Sequence, residues 1–297
     1  MISAFTKTFI DISIPVLVFF TMLVVGLDLT VEDFRQVMRK PRTVVFGTLG
    51  QFIFLPVVGI VLVHMLKLEP YILSGILLIA ACPGGAMSNF YVYLARSNTA
   101  LSVTLTAVSC LLAAIILPVL MKVYGLYLNN PFDFSVPFPI IFAQLLVMLV
   151  IPTILGMCLR HYKPVFTKRY EALFRGVSIA ALVGIVGFVV YQEAGNLLLG
   201  ITDTVLASVV FIIISMIFGF GIGSILGLNA HDRFTLLVEF AVRNIAIATA
   251  IAVTILNRTE FAVFATVYFL IQVPLVVLAI IFFKRLRSHH MHSSSIL

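Results

Sequence analysis

Residues 237–247 read L-V-E-F-A-V-R-N-I-A-I, which places Glu239, Arg243 and Asn244 inside a stretch that is otherwise hydrocarbon. Ionisable side chains are costly at membrane depth. They face a bundle interior or a wet cavity, where they mark ion or substrate pathways. The stretch therefore predicts a functional site inside a membrane-spanning bundle.

The composition of the whole chain is that of a polytopic membrane protein. Of its 297 residues, 62% are hydrophobic and 10% are charged, whereas soluble domains contain about 25% charged residues. The mean hydropathy is +1.18. A spanning helix needs about 20 apolar residues, and stretches of that length follow one another along the chain. The alternating pattern of a transmembrane barrel is absent from the sequence, so the predicted fold class is all-α.

Nine transmembrane helices are predicted from the apolar stretches. They cover residues 9–30, 43–66, 71–95, 100–124, 138–160, 172–191, 202–228, 231–256 and 260–283. With the N-terminus outside, fourteen of the 19 Lys and Arg residues fall on the cytoplasmic side and four on the outer side, as the positive-inside rule requires. The net charge of +7 is thus explained by orientation in a cell (inner) membrane, with a cytoplasmic C-terminus, rather than by nucleic acid binding.

Two of these spans contain features that interrupt a helix. Residues 82–85 (C-P-G-G) lie in the third span, where proline removes a backbone donor and the glycines loosen the chain. Residues 239–244 lie at the corresponding depth of the eighth span and, five spans later, cross in the opposite direction. A single transporter domain is predicted, with inverted repeats at 1–125 (lacking its opening helix) and 138–285, and a tail at 286–297. Paired interrupted helices indicate a transporter's binding site.

Side chains that carry oxygen accumulate near the two interruptions: Ser88, Asn89, Ser102, Thr106 and Glu239. Ser102 and Thr106 are four residues apart and share one helix face, on which Ser109 follows. Hard cations prefer oxygen ligands, and one carboxylate among neutral oxygens is neutralised by a monovalent cation. Sodium fits this set best, and a proton on Glu239 is the competing ligand.

Arg243 has two interpretations that the sequence leaves open. It can pair with Glu239, four residues earlier, as intramembrane charges commonly do. Alternatively its forked donors hold an anionic substrate group such as a carboxylate. Asn244 adds a further donor and acceptor at the same point.

In these residues the chain resembles the bile acid:sodium symporter family. The resemblance is carried by residues 51–56 (QFIFLP), 82–89 (CPGGAMSN), 100–109 (ALSVTLTAVS) and 239–244 (EFAVRN), and it extends over nearly the whole chain. It implies a panel domain and a core domain, two crossing broken helices, and transport of organic anions together with sodium. The chain resembles the nine-span form that lacks the first helix.

The resemblance also implies roles for single residues. Matches to the family's first sodium site are Ser88, Asn89, Ser102, Thr106 and Glu239. Matches to its second sodium site are Gln51, Glu239 and the backbone at Phe240 and Val242. That second site normally ends in a glutamine where this chain has Arg243, so we expect the second sodium to be weakened or lost.

Two further departures concern the substrate. A family threonine near the first break is Ala86 here, and a His-Asn pair in the last helix corresponds to Ile271-Gln272. Contacts to the substrate are therefore expected from Arg243, Asn244 and Ala86, and a carboxylate smaller than a bile acid is as plausible a cargo as a bile acid.

The leading hypothesis is a sodium-coupled symporter of an organic anion that works by alternating access. The alternative is a sodium-independent carrier, proton-linked or uncoupled, in which Arg243 replaces the second sodium. A channel or receptor is a third class, against which the paired interruptions argue. An enzyme is not expected, because no nucleophile–base pair or metal cluster lies within the predicted spans.

Overall fold

The computed structural model describes residues 4–30, 32, 39–127 and 137–294, and the regular secondary structure of these residues is helical. Side chains are described for residues 12–30, 32, 39–126 and 137–286. The first half contains α1 (Ala4–Asp28), α2 (Pro41–Met65), α3 (Pro70–Ala81), α4 (Met87–Leu94) and α5 (Thr99–Tyr127).

The second half continues the helical pattern with two π-helical turns. Its elements are α6 (Phe138–Leu145), a π-helical turn (Leu146–Val150), α7 (Ile151–Tyr162), α8 (Pro164–Gln192), α9 (Ala194–Ile225), α10 (Ala230–Ala241), α11 (Ile245–Ala250), a second π-helical turn (Ile251–Ile255), a 3-10 turn (Thr259–Phe261) and α12 (Ala262–Ser294). Helix α12 thus runs into the segment predicted as a tail, 286–297, whose last three residues lie outside the described ones.

Local chemistry explains where several helices begin. Helices α2, α3 and α8 start at prolines, Pro41, Pro70 and Pro164, where the missing N–H is no loss because the first turn has no partner for it. Helix α10 is capped by Asn229, whose Oδ1 accepts from Asp232 N at 2.9 Å. These signals are readable in the sequence.

Six helical stretches of the described residues are long and apolar enough to cross a membrane. They are Pro41–Met65, Thr99–Leu126, Phe138–Tyr162, Pro164–Gln192, Ala194–Ile225 and Thr259–Leu286. The other three predicted spans coincide with shorter apolar helices, Ile12–Asp28, Pro70–Ala81 and Ile245–Ile255. A polytopic α-helical membrane protein is therefore confirmed. Pro70–Ala81 and Ile245–Ile255 are short because each adjoins an interruption of helical structure.

The first interruption occurs where the sequence predicts it. Helix α3 ends at Ala81, Cys82 is extended (φ −66°, ψ 153°), and α4 starts at Met87. The second interruption has neither proline nor glycine. There α10 ends at Ala241, Val242 is extended (φ −97°, ψ 101°), and Asn244 caps α11 by accepting from Ile247 N at 3.2 Å.

The two interruptions bind each other through their backbones. Gly85 N donates to Val242 O at 2.9 Å and Asn244 N donates to Pro83 O at 3.0 Å, which makes an antiparallel bridge around Gly84 and Arg243. Broken backbone at membrane depth is tolerated only where such partners satisfy it. The two breaks therefore form one unit at the centre of the bundle.

Burial places this unit in the interior. Of the most apolar window of Thr99–Leu126, 61% is buried, against 17% for Pro164–Gln192. Helix α5 is thus central and α8 is peripheral, with most of its apolar surface facing outward. The breaks sit beside α5, whose polar face meets them.

Candidate functional site

The carboxylate of Glu239 lies at the centre of a cluster of hydroxyl groups. Glu239 is in the last turn of α10 and is fully buried. Ser88 Oγ, from α4, and Ser102 Oγ, from α5, each donate to its Oε1 at 2.5 Å. Thr106 Oγ1 donates to Oε2 at 3.1 Å. Two consecutive helices, α4 and α5, thus bring three hydroxyl oxygens to a carboxylate that lies more than 130 residues later in the chain.

Asn89 completes the cluster from the first turn of α4. Its Oδ1 lies 2.8 Å from Ser102 Oγ, whose single proton it shares with Glu239 Oε1, and 3.5 Å from Thr106 Oγ1. Its amide nitrogen has no hydrogen-bond partner. The five residues predicted from the sequence are therefore in mutual contact, and Ser88 Oγ and Thr106 Oγ1 are 3.2 Å apart.

The hydroxyl groups on one face of α5 make contacts of two kinds. Ser102 and Thr106 face Glu239, but Ser109 does not reach the carboxylate. Ser109 Oγ accepts from Gly84 N at 3.3 Å and donates to Thr106 O at 3.0 Å. Ser109 therefore secures the first break, one turn from the oxygen cluster.

A buried carboxylate surrounded by hydroxyls is a chemically specific environment. A charge buried away from water is tolerated when it is paired and hydrogen-bonded. Here the neighbours of Glu239 are neutral oxygens, which are ligands for a hard cation. The described arrangement therefore suits a cation that carries one positive charge, or a proton.

Arg243 does not pair with Glu239 in this structure. Among the ion pairs of the described residues, none joins the two. The reason is that α10 ends at Ala241, so the i, i+4 geometry of a helix is lost before Arg243 is reached. The interpretation of Arg243 as the partner of Glu239 is wrong for this conformation.

The guanidinium of Arg243 instead lies between a side chain and a freed carbonyl. Nη1 donates to Gln51 Oε1 at 3.1 Å and Nη2 donates to Cys82 O. Arg243 is 1% exposed, and its Nε has no hydrogen-bond partner. It therefore uses a side-chain oxygen and a backbone oxygen at the position that the family resemblance assigns to a second sodium, which was expected to be weakened or lost there.

Two other oxygens predicted at that second position also have partners or lie in the interior. Val242 O accepts from Gly85 N at 2.9 Å, and Phe240 is fully buried beside Gly50 and Gly219. Gln51 Oε1 already receives the guanidinium, and the Gln51 amide nitrogen has no partner. Gln51 Oε1 and Val242 O thus have hydrogen-bond donors from the protein itself.

The residues predicted to contact substrate lie at the crossing but differ in accessibility. Asn244 is 4% exposed, caps α11 and directs its amide nitrogen to Met22 Sδ at 3.7 Å. Ala86 is half-buried at the start of α4. Arg243 is 1% exposed, so in this conformation its guanidinium is enclosed by protein.

Two cavities of the described residues lie away from the oxygen cluster. The larger, of about 600 Å³, is lined by Pro15, Ala143, Gln144, Val147, Met148, Thr254 and Asn257. The smaller, of about 380 Å³, is lined by Lys40, Ser97, Asn98, Asn229, His231 and Asp232. The π-helical turns Leu146–Val150 and Ile251–Ile255 border the first, and such turns often accompany functional sites.

Sequence reasoning missed a polar cluster at the first turn of α10. Asp232 is 2% exposed; its Oδ2 is 2.6 Å from Lys40 Nζ, and its Oδ1 accepts from Asn98 Nδ2 at 2.6 Å. The capping signal Asn229-x-x-Asp232 was readable, but its long-range partners were not. The cluster ties α10 to the loop after α4 and to the start of α2.

Tyr268 was also missed. Its hydroxyl donates to Ala241 O at 2.6 Å and the residue is fully buried. This bond satisfies the carbonyl freed at the end of α10. A lone tyrosine in an apolar helix gives no sequence signal for such a role.

Comparison with known proteins gives a consistent set of relatives. A family model described as the sodium bile acid symporter family matches residues 15–201. The uncharacterised sodium-dependent transporter YocS of Bacillus subtilis (strain 168) is 29% identical over 259 residues, covering 84% of this chain and 77% of that protein.

Eukaryotic proteins match as well. The probable chloroplastic sodium/metabolite cotransporter BASS1 of Arabidopsis thaliana is 28% identical over 233 residues, covering 78% of this chain. The human ileal sodium/bile acid cotransporter is 28% identical over 183 residues, covering 61% of this chain. The chain spans 57% and 52% of the length of these two relatives.

Proposed function

The chain belongs to the sodium bile acid symporter family, whose members are transporters and not enzymes, and from this premise we propose that it imports an organic anion with sodium by alternating access. The observation that carries the proposal is the oxygen cluster of Glu239, Ser88, Ser102 and Thr106. Its cargo is a bile-acid-like anion or a smaller carboxylate.

Sodium is proposed to bind between Glu239 and the neighbouring oxygens of Ser88, Asn89, Ser102 and Thr106. One carboxylate balances one alkali ion, and the remaining ligands are neutral, which suits a monovalent hard cation. Because these oxygens come from α4, α5 and α10, an ion among them would stabilise one arrangement of the two breaks. An anion that prefers the same arrangement is then coupled to the ion, and the coupling is reciprocal.

The proposed architecture has nine spans in a panel domain and a core domain. Inverted repeats at 1–125 and 138–285 are supported by the antiparallel bridge between the two breaks. The excess of basic residues in the predicted inner loops supports an external N-terminus and a cytoplasmic C-terminus in the inner cell membrane.

The anion is proposed to bind at the crossing beside Ala86 and Asn244, attracted by the charge of Arg243. A single sodium is proposed rather than two, because the guanidinium already occupies Gln51 Oε1 and Cys82 O. The alternative, a sodium-independent anion carrier, is kept because this same guanidinium supplies a fixed cation without any ion from solution.

The test is uptake by proteoliposomes driven by an inward sodium gradient, with potassium replacing sodium in the reference. Labelled taurocholate and butyrate serve as a large and a small probe. We expect uptake to require sodium and to be lost in Glu239→Gln, which keeps the side chain's shape and removes its charge. Uptake by the wild type that is equal in sodium and potassium would support the sodium-independent carrier instead.

A matched pair of serine variants tests the oxygen cluster itself. Ser102→Ala removes one hydroxyl bonded to a charged group, worth about 1.5–3 kcal/mol, so half-maximal activation should need at least about 10-fold more sodium. Ser215→Ala is the control, because Ser215 is equally buried but bonds Phe211 O of its own helix at 2.7 Å. Equal sodium requirements in the two variants would contradict the proposed site.

A further inference from the structure

Few charges are buried in the described part of the bundle, and two of them lie at the crossing. The buried charged side chains are Glu193, Asp232, Glu239 and Arg243. Glu193 lies in the turn between α8 and α9, and Asp232 pairs with Lys40 at the first turn of α10. Glu239 and Arg243 therefore determine the fixed charge of the crossing.

The positive charge of Arg243 is permanent and is held in place. A guanidinium does not lose its proton in proteins. Its contacts to Gln51 Oε1 and Cys82 O span α2 and the first break, and the side chain is enclosed. The charge therefore travels with these elements whenever the crossing changes its access from one side of the membrane to the other.

We infer that this protein is an electroneutral carrier that moves one sodium ion together with one monovalent organic anion, because Arg243 replaces a second mobile cation. This inference rests on the proposed sodium-coupled function and adds the charge class of the substrate and the balance of the cycle. The observation behind it is the separate placement of the Glu239 carboxylate among hydroxyls and of the Arg243 guanidinium on Gln51 and Cys82.

The net charge at the crossing explains why the protein switches its access easily in only two states of loading. Without cargo, the carboxylate and the guanidinium cancel. Sodium alone leaves one uncompensated positive charge, which is costly at membrane depth. Sodium with a monovalent anion restores neutrality, whereas a divalent anion leaves one negative charge. The arrangement thus disfavours transport of sodium without an anion and favours monocarboxylates over dicarboxylates.

Replacing Arg243 with glutamine changes this balance in a defined way. The crossing without cargo then carries one negative charge, and Gln51 Oε1 and Cys82 O lose their donor. Neutrality with a monovalent anion now requires two sodium ions. One transport cycle of Arg243→Gln therefore moves one net positive charge, and the wild type moves none.

Accumulation in proteoliposomes at an imposed membrane potential tests the inference. Potassium gradients with valinomycin set 0 or −100 mV inside, and steady-state accumulation of taurocholate and of butyrate is measured at a fixed sodium gradient. If one net charge moves per transport cycle, a change of 100 mV in membrane potential raises substrate accumulation about 50-fold, which corresponds to about 2.3 kcal/mol. We expect no change for the wild type and an increase approaching 50-fold for Arg243→Gln.

Two further variants separate charge from shape. Arg243→Lys keeps the charge and should remain insensitive to voltage. Arg233→Gln makes the same chemical change on α10 outside the crossing, where Arg233 Nε bonds Leu228 O at 2.6 Å, and it should behave as the wild type. If Arg243→Gln fails to fold, the wild type and Arg243→Lys still decide the question.

Sodium titration of the thermal stability of the purified protein gives an independent reading. We expect a Hill coefficient near one for the wild type and near two for Arg243→Gln. Sodium-dependent uptake by the wild type that rises with negative potential, or a wild-type Hill coefficient near two, would overturn electroneutrality and leave the proposed function intact. Absence of both sodium-dependent uptake and sodium stabilisation would overturn the proposed function itself.

Discussion

Gly85 lies where the backbones of the two breaks are in close contact, and Gly85→Ala should disrupt them. A Cβ atom added at Gly85 would lie 2.7 Å from the carbonyl oxygen of Arg243 and 3.3 Å from Asn244 N. Neither backbone can withdraw freely, because Gly85 N bonds Val242 O and Asn244 N bonds Pro83 O. Relief of the overlap therefore requires loss of at least part of the bridge.

The size of the effect follows from two contributions. Overpacking of a tight interior costs about 1–3 kcal/mol, and each of the two backbone hydrogen bonds contributes about 0.5–1.5 kcal/mol. We expect a loss of about 2–6 kcal/mol, or about 4–24 °C in Tm at about 2–4 °C per kcal/mol. Thermal unfolding of the detergent-solubilised protein measures it, and sodium stabilisation should weaken in parallel.

Gly184→Ala is the matched control, because a Cβ added at Gly184 meets nothing within 4 Å. In the interior of α8 this change removes a glycine from a helix and should be neutral or stabilise the protein by up to about 1 kcal/mol. If Gly85→Ala and Gly184→Ala had the same Tm and the same sodium response, the bridge would have no energetic importance and the reasoning about the crossing would be refuted.

Two further predictions concern contacts that hold α10 in place. Tyr268→Phe removes the donor to Ala241 O and leaves a buried carbonyl unpaired, so we expect a loss of about 1–3 kcal/mol in thermal unfolding, whereas Tyr191→Phe on the exposed surface should change nothing. Asp232→Ala leaves Lys40 without its partner; because Lys40 is partly exposed, we expect about 1–2 kcal/mol, and 1 M salt should reduce the difference from the wild type. An unchanged Tm in either variant would show that the corresponding contact is dispensable.

The oxygen cluster was predictable because polar side chains are scarce in the spans. Ser102 and Thr106 share a helix face by their spacing alone, and Glu239 is the one carboxylate of its stretch. The first break was equally local, since proline and two glycines stop a helix without help from distant residues. The first break and the shared face of Ser102 and Thr106 are thus local features, whereas the contact of these hydroxyls with Glu239, 133–137 residues later, was expected only from the pairing of the interrupted spans and from the family resemblance.

The second break and the place of Arg243 were not predictable in the same way. Residues 242–244 contain no helix-breaking residue; their conformation is stabilised by Pro83 O and Gly85 N, which are distant in sequence. The partners of Arg243 are 192 and 161 residues away. A reading of local spacing favours an i, i+4 pair with Glu239, and long-range contacts decide against it.

The lengths of the interrupted helices were less predictable than their existence. Interruptions were expected in the third and eighth spans, and α3 and α10 each end after 12 residues. The π-helical turns Leu146–Val150 and Ile251–Ile255 were also not predicted. The end of α10 and the π-helical turns depend on how neighbouring segments pack, which the hydropathy of a single stretch does not record.

The antiparallel bridge has a consequence for how the protein is made. The amide of Gly85 and the carbonyl of Pro83 find their partners on residues 242–244, so they are synthesised long before those partners exist. At about 5–20 residues per second, the ribosome needs about 8–30 s to bridge that interval. Until then the free backbone groups of the first break need other partners, such as water, the translocon or a chaperone. Insertion of this segment is complete only when the second half of the chain has arrived.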